Sequence, residues 1–321
     1  MELNLLTFHS RFPDEDACYG YIVKWLWPNG VVCPHCGSLS VYACKTRRIY
    51  KCKDCRRQFS ALGRSIFKDT HLPFRVWVMA LYLVTSEGAS SNDLSRKLGI
   101  TQKSAWFLYL RIQEVMKDNG IQLSGNVQID ETYYGAKSRG RSTARYSKKF
   151  AIIGGVESRL FGKAVFMVVK QPDATVAMQF IRNHIKPGTV VQTDESRIYG
   201  NLRYQYEHAT VNHSQHQYVS EDVTSNKIEN NWMHAKRLLK GRHIRVSGKH
   251  LSTYICGGFQ FRYNTRGLTA EQRIEQWFIQ ARSTPPLTYS QLKAKQAVKP
   301  LALRGWARKR AGLPVQTSLF S

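Results

Sequence analysis

Val127-Gln128-Ile129-Asp130-Glu131-Thr132-Tyr133-Tyr134 and, further along, Val190-Val191-Gln192-Thr193-Asp194-Glu195 decide the reading of this chain. Each begins as an apolar strand and runs into an acid. A carboxylate in such a place is costly unless it is solvated, paired or bound to a cation. Two strands ending the same way predict two neighbouring carboxylates that share a divalent ion, and hard oxygen donors suit Mg²⁺ or Mn²⁺. Two such ions about 4 Å apart can clamp both oxygens of an in-line phosphoryl displacement. A third group is expected from a later helix, Asn226-Lys227-Ile228-Glu229-Asn230-Asn231-Trp232-Met233-His234-Ala235-Lys236-Arg237. Asn226, Glu229, Asn230, Met233 and Lys236 recur on overlapping faces at steps of three and four, while Ile228, Trp232 and Ala235 form the apolar side. Lys236, two turns beyond Glu229, is placed to hold a phosphate. Taken alone, a strand-end Asp is usually a turn former and a Glu–Lys pair a solvated helix face. The conjunction, in this order, carries the reading.

The rest of the chain supports a polyanionic partner. Its 321 residues hold 48 Lys+Arg against 22 Asp+Glu, a formal charge of +26. Such an excess repels itself in a compact fold, and nucleic acid is the usual partner that offsets it. The 42% hydrophobic and 12% aromatic content suits ordered domains rather than a basic disordered tail. The N-terminus lacks the basic and apolar regions of a secretion signal, and no run of ~18 apolar residues would span a membrane. A cytoplasmic, nucleoid-associated protein is expected. Residues 136–149 read as a mobile basic loop, and the chain ends on a basic segment containing Arg308, Lys309 and Arg310.

Upstream lie two Cys-x-x-Cys pairs, Cys33/Cys36 and Cys52/Cys55. Two such knuckles present four thiolates to one Zn²⁺ at about 2.3 Å, and an all-thiolate shell leaves no open position, so the ion is structural. His35 is a conceivable competitor, but the four sulfurs already close the shell. Residues between the pairs are expected to form a hairpin, capped by Tyr50 and Phe59. Cys18, Cys44 and Cys256 read as packed thiols.

Between ribbon and acids, Ser90 or Ser91 can cap a helix carrying Leu94 and Leu98, Gly99 supplies a turn, and Thr101 caps the next helix. This is helix-turn-helix patterning, with Thr101, Gln102, Lys103 and Ser104 on the exposed first turn as expected DNA contacts. The alternative is a plain helical hairpin.

The ordered set of ribbon, helix-turn-helix, Ile129-Asp130-Glu131-Thr132-Tyr133-Tyr134-Gly135, Thr193-Asp194-Glu195 and the Asn226–Arg237 helix resembles the zinc-ribbon-bearing DDE transposases of bacterial insertion sequences. The stretch from His250 to Phe259-Gln260-Phe261-Arg262-Tyr263-Asn264 resembles that family's last core helix. The resemblance implies an α/β RNase H-like catalytic domain with Asp130 and Asp194 as metal ligands. It also implies cutting and joining of DNA at element ends and target, by a homodimer or higher oligomer on DNA. The third ligand varies there between Glu and Asn; Glu229 is preferred for its place in the Ile-Glu pair ahead of Lys236, with Asn226 and Asn230 as alternatives. The expected order is a helical lead-in (1–30), zinc ribbon (31–62), helix-turn-helix region (70–120), catalytic domain (125–268) and basic extension (269–321). A non-catalytic DNA-binding regulator and a structure-specific nuclease are the rival functions.

Overall fold

The computed structural model describes residues 3–44, 47–117, 120–135, 149–194, 196–200, 202, 206–211, 219–220, 223–224, 226–244 and 246–294. The expected basic loop over 136–149 and the basic terminus from 295 onward fall almost wholly outside these residues. The chain divides into two compact units, one of residues 1–117 with 267–294, the other built on 118–266.

The first unit opens with α1 (Leu5–Arg11) and α2 (Glu15–Leu26), each started by a side-chain cap, Asn4 and Asp14. Cys18, Ile22 and Leu26, at steps of four, are the buried face of α2. Burial pushes the Cys18 thiol up to about 11, which makes it an inert packed thiol. Three short antiparallel strands follow, β1 (Val41–Ala43), β2 (Tyr50–Cys52) and β3 (Gln58–Phe59), in the order β1-β2-β3. Next come α3 (Phe74–Thr85), α4 (Ser91–Leu98) and α5 (Gln102–Val115). Pro73 cannot cap α3 with a side chain, and Glu15 substitutes: its carboxylate accepts from the N–H groups of Phe74 and Arg75 at 2.8 and 3.0 Å. Ser90 and Asp93 form a reciprocal capping box on α4, Gly99 ends it with φ +63°, and the Thr101 hydroxyl accepts from Ser104 N–H at the start of α5.

The unit is completed from far along the chain. Helix α10 (Ala270–Ala281) buries Ile274, Trp277 and Phe278, and the Trp277 indole donates to Ile112 O at 3.0 Å. Phe278 stacks on Trp25 at 6.1 Å. Residues 267–294 are therefore part of this core, a correction to the expected basic extension over 269–321. Helix α11 (Tyr289–Ala294) follows, and Leu292 is buried.

The second unit is a five-stranded mixed sheet in the order β6-β5-β4-β7-β8. Strands β4 (Asn126–Gly135), β5 (Lys149–Glu157) and β6 (Ala164–Val169) form an antiparallel meander, and β7 (Val190–Asp194) and β8 (Glu207–Val211) run parallel to β4. Period-two alternation sorts the residues of β4. Val127 and Ile129 join the core built with α6 (Ala174–His184), which contributes Val176, Ala177, Phe180 and Ile181. Gln128 and Asp130 face the other way, toward α7 (Asn226–Arg237), whose buried residues are Ile228, Asn231, Trp232 and Ala235. Adjacent glycines on β5 serve the two faces. A Cβ on Gly155 would meet Phe180 of α6 at 3.5 Å, whereas one on Gly154 would stand 2.5 Å from the Trp232 ring of α7.

Beyond a short hairpin, β9 (Val219–Ser220) and β10 (Val223–Thr224), α7 continues into a wide π turn, Leu238–Arg242. The expected helix ending at Asn264 is a composite of α8 (Gly248–Ser252), a π segment (Thr253–Phe259) and α9 (Gln260–Asn264). Two amides of α9 satisfy the outer edge of β6. Gln260 Oε1 accepts from Phe166 N–H at 2.9 Å, and Asn264 accepts from Ala164 N–H and donates to its carbonyl at 2.7 and 2.9 Å. This blocks further strand addition at that edge.

Candidate functional site

In the ribbon, the Sγ atoms of Cys33, Cys36, Cys52 and Cys55 all lie within 4.8 Å of one another, and none is in a disulfide. Cys33–Cys55 and Cys36–Cys52 are both 3.6 Å apart. Four sulfurs at about 2.3 Å from one tetrahedral ion stand about 3.8 Å apart, so this donor set fits structural Zn²⁺. Val31, Phe59 and Ala61 form the small core around buried Cys33 and Cys52, with Tyr50 stacked on Phe59 at 5.9 Å. The Trp27 indole fastens the ribbon by donating to Ala61 O at 2.9 Å.

On α5, Thr101, Gln102 and Lys103 are exposed and Ser104 half-buried. Gln102 reaches back to the Ser91 hydroxyl at 3.3 Å, and the Lys103 ammonium lies 5.3 Å from the centre of the Tyr289 ring. The first turn of α5 is thus a polar surface braced by its own neighbours.

Asp130 and Glu229 line one groove in the second unit, and Asp194 is not among its lining residues. An open groove of about 880 Å³ is lined by Asp130, Glu131, Thr132, Glu229, Trp232, Met233, Lys236, Arg237, Lys240 and Gly241. Asp130 enters it from β4 and Glu229 with Lys236 from α7, while Asp194 ends β7. Burial raises the Asp130 carboxyl above its ordinary value; the Trp232 indole opposes this, and the charges of Asp194 and Glu229 add to it. Asp130 thus senses both other acids named from the sequence. Among the described residues, however, the only His/Cys/Asp/Glu group with all ligand atoms within 4.8 Å is the cysteine set. Asn226 and Asn230 are exposed but do not line the groove. Glu195 lies outside the described residues.

Three supporting interactions were not read from the sequence. The Trp232 indole N–H donates to Asp130 Oδ2 at 2.8 Å, so the residue assigned to the apolar side of α7 also orients the acid on β4. Gln128 Oε1, two residues earlier on the same strand face, accepts from Lys227 and Ile228 N–H at 3.0 Å each. It satisfies the first turn of α7 and fixes where Glu229 sits. The alternation of Gln128 and Asp130 was a usable signal, but the partner was not visible. Third, the buried Tyr199 hydroxyl donates to Glu131 Oε2 at 2.9 Å, on the opposite strand face from Asp130. Burial, followed by the charges of Asp130 and Asp194 beyond the Tyr199 bond that opposes it, raises the Glu131 carboxyl. Tyr199 lies in the short turn Arg197–Tyr199 that follows β7, so this bond ties that turn to the middle of β4.

Known proteins match both modules. Residues 13–58 match a transposase zinc-ribbon domain, and residues 122–264 match the ISXO2-like transposase domain of the IS1595 type. A Halobacterium salinarum relative, described as an uncharacterized protein in transposable element ISH50, is 26% identical over 79% of this chain and 92% of its own length. A Haemophilus influenzae relative, described as an uncharacterized transposase-like protein, is 31% identical over 35% of this chain and 89% of its own length. Among the described residues no helix is long and apolar enough to cross a membrane. With its cysteine ribbon ahead of a mixed-sheet domain of this type, the chain belongs to the zinc-ribbon-bearing DDE transposases of insertion sequences.

Proposed function

We propose that this transposase binds the ends of a mobile DNA element and catalyses metal-dependent DNA cleavage and strand transfer, with Asp130, Asp194 and Glu229 as ligands of Mg²⁺ or Mn²⁺. The observation that carries the reading is the groove: half-buried Asp130 of β4 and Glu229 of α7 line it together beside Lys236, and burial first, then repulsion from Asp194 and Glu229, disfavours the Asp130 anion. Uncompensated, that repulsion is a cost; a divalent cation removes it, and carboxylate oxygens are its preferred donors. Two ions spread their donors more widely than one does, so a looser carboxylate set is compatible with the pair. Held by Asp130, Asp194 and Glu229, such ions would supply activation of an attacking hydroxyl and neutralisation of charge on the leaving oxygen.

The chain's own residues do the rest. Lys236, with Arg237 and Lys240 on the same wall, holds DNA phosphate beside the acids. Trp232 and Gln128 hold Asp130 and α7 in register. The mixed sheet with α6 and α7 on opposite faces supports reading this unit as RNase H-like. The α4–Gly99–α5 arrangement supports a helix-turn-helix, with Thr101, Gln102, Lys103 and Ser104 presented to a major groove. Assembly as a homodimer or higher oligomer on paired DNA ends belongs to the same reading.

A DNA-joining assay tests it. Purified protein is incubated with DNA carrying element ends and a target plasmid, with Mg²⁺, Mn²⁺ or chelator. Joined products that require the metal are expected. Cleavage without joining would make the chain a nuclease, and binding alone a regulator.

A further inference from the structure

Helix α7 contributes to two grooves of different chemistry. Next to the groove that holds Asp130 lies a cleft of about 690 Å³ lined by His234, Arg237, Leu238, Gly241, Arg242, Phe259, Arg262, Tyr263 and Arg266. Its lining carries four arginines and a histidine and no acid, whereas the first groove mixes Asp130, Glu131 and Glu229 with its cations. Arg237 and Gly241 line both.

The cleft is built by the fold. The π turn Leu238–Arg242 is wider than an α turn, closed by His243 N–H onto Leu238 O at 3.2 Å. An i→i+5 turn takes about one more residue than an α turn. That added residue brings Arg242 closer beneath His234 than α-helical phase would, so both face the cleft. Phe259 and Tyr263 supply an aromatic floor. Arg266 is fixed on that floor, its guanidinium 4.0 Å from the Tyr263 ring centre and donating to Tyr263 O and Gly162 O at 2.6 and 3.0 Å. Guanidinium groups suit phosphate in particular, through paired N–H donors.

We infer that this cleft is a second DNA-backbone site, seating phosphodiesters next to the carboxylate groove, with Arg237 shared between the two grooves. The inference rests on the reading of the chain as a DNA-processing transposase. It adds that DNA contacts this cleft rather than only entering the acidic groove.

The test uses the full chain without divalent ions, so that catalysis plays no part. Fluorescence anisotropy on labelled duplex is measured from 50 to 200 mM salt for the wild type, Arg242→Gln, Arg262→Gln and the double variant. Each lost phosphate contact lowers the slope of log affinity against log salt by about 0.9, so two lost contacts shrink the affinity drop across this fourfold range about twelvefold. Unchanged zinc content and circular dichroism exclude misfolding, and Arg242→Lys should restore part of the slope. A steep wild-type slope with unchanged variant slopes would overturn the second site while leaving the transposase reading intact. A flat wild-type slope would instead strike the DNA-binding reading itself. Unchanged slopes with an altered oligomeric state by light scattering would assign the cleft to a protein contact, against the inference.

Discussion

Gly154→Ala tests how the sheet supports the acids. Gly154 pairs with Asp130 across β4 and β5, and the Trp232 ring occupies the space above it. An added Cβ would stand 2.5 Å from Trp232 Cη2 and 2.7 and 2.9 Å from two atoms of Phe166. Contact between carbons is comfortable at about 3.5–4.0 Å, so the overlap is on the order of 1 Å. Neither ring can swing into solvent: both are buried, and Phe166 packs against Trp232 at 5.5 Å and Phe259 at 5.3 Å. Overpacking of this kind costs about 1–3 kcal/mol. Moving the indole also breaks its 2.8 Å bond to Asp130, and a bond to a charged acceptor contributes about 1.5–3 kcal/mol. The lower sum, about 2.5 kcal/mol, is roughly sixtyfold in an opening equilibrium. Because the chain has two compact units, one global unfolding energy is ill-defined. Hydrogen exchange by mass spectrometry is therefore the assay. Peptides from β4 and β5 should lose about fiftyfold or more of their protection while α3 and α5 keep theirs. Gly20→Ala is the control: no atom lies within 4 Å of its added Cβ, and in mid-helix it should be neutral or stabilising by up to ~1 kcal/mol. If Gly154→Ala keeps β4 and β5 protection within about threefold, equivalent to under ~0.7 kcal/mol, the packing argument is refuted.

Three other outcomes are expected. Cys33→Ser or Cys52→Ser should lose the zinc, about one ion per chain from one four-thiolate site, and unfold the ribbon; elemental analysis and limited proteolysis read this, and a wild type without zinc would sink the assignment. Glu229→Gln should abolish strand transfer while Asn226→Ala and Asn230→Ala remain active; the reverse pattern would make a neutral Asn the third ligand. At the β5–β6 turn, burial pushes the Glu157 carboxyl up, but hydrogen bonds from Lys163 N–H, Arg159 and Ser124 N–H outweigh it and hold it below its ordinary value. A lowered folded pKa stabilises above the unfolded value and that contribution is lost as pH falls through the folded pKa. The Tm advantage of wild type over Glu157→Gln should therefore be full at pH 7, shrink as pH falls below the ordinary glutamate range, and be lost only below the lower folded pKa; a difference that does not shrink on acidification would contradict the assignment.

Local signals in the sequence gave local structure. The ribbon, the Ser90 and Thr101 caps, the Gly99 turn, the strands bearing Asp130 and Asp194, and the apolar side of α7 each depend on spacing within a few residues. What escaped was non-local. Apolar periodicity says which face of α10 is buried, but not that Ile112, 165 residues earlier, receives the Trp277 hydrogen bond. Strand β8 was missed because Glu207-His208-Ala209-Thr210-Val211 has little apolar alternation; as an edge strand it depends on pairing with β7 rather than on two-sided burial. In the candidate site the acids were legible as residue types, whereas Trp232 and Gln128 were not legible as their supports. A tryptophan on an apolar helix face reads as core, and only the sheet beneath it reveals that its N–H meets a carboxylate.

The central claim is that Asp130 and Asp194 hold the ions that cut and join DNA. The most direct measurement compares wild type, Asp130→Ala and Asp194→Ala in a strand-transfer assay with Mg²⁺ or Mn²⁺, alongside DNA binding of the same preparations. Both variants should bind DNA as well as wild type or slightly better, since a negative charge beside phosphate is gone, and neither should give joined product. Joined product from both variants at wild-type rates would contradict the account.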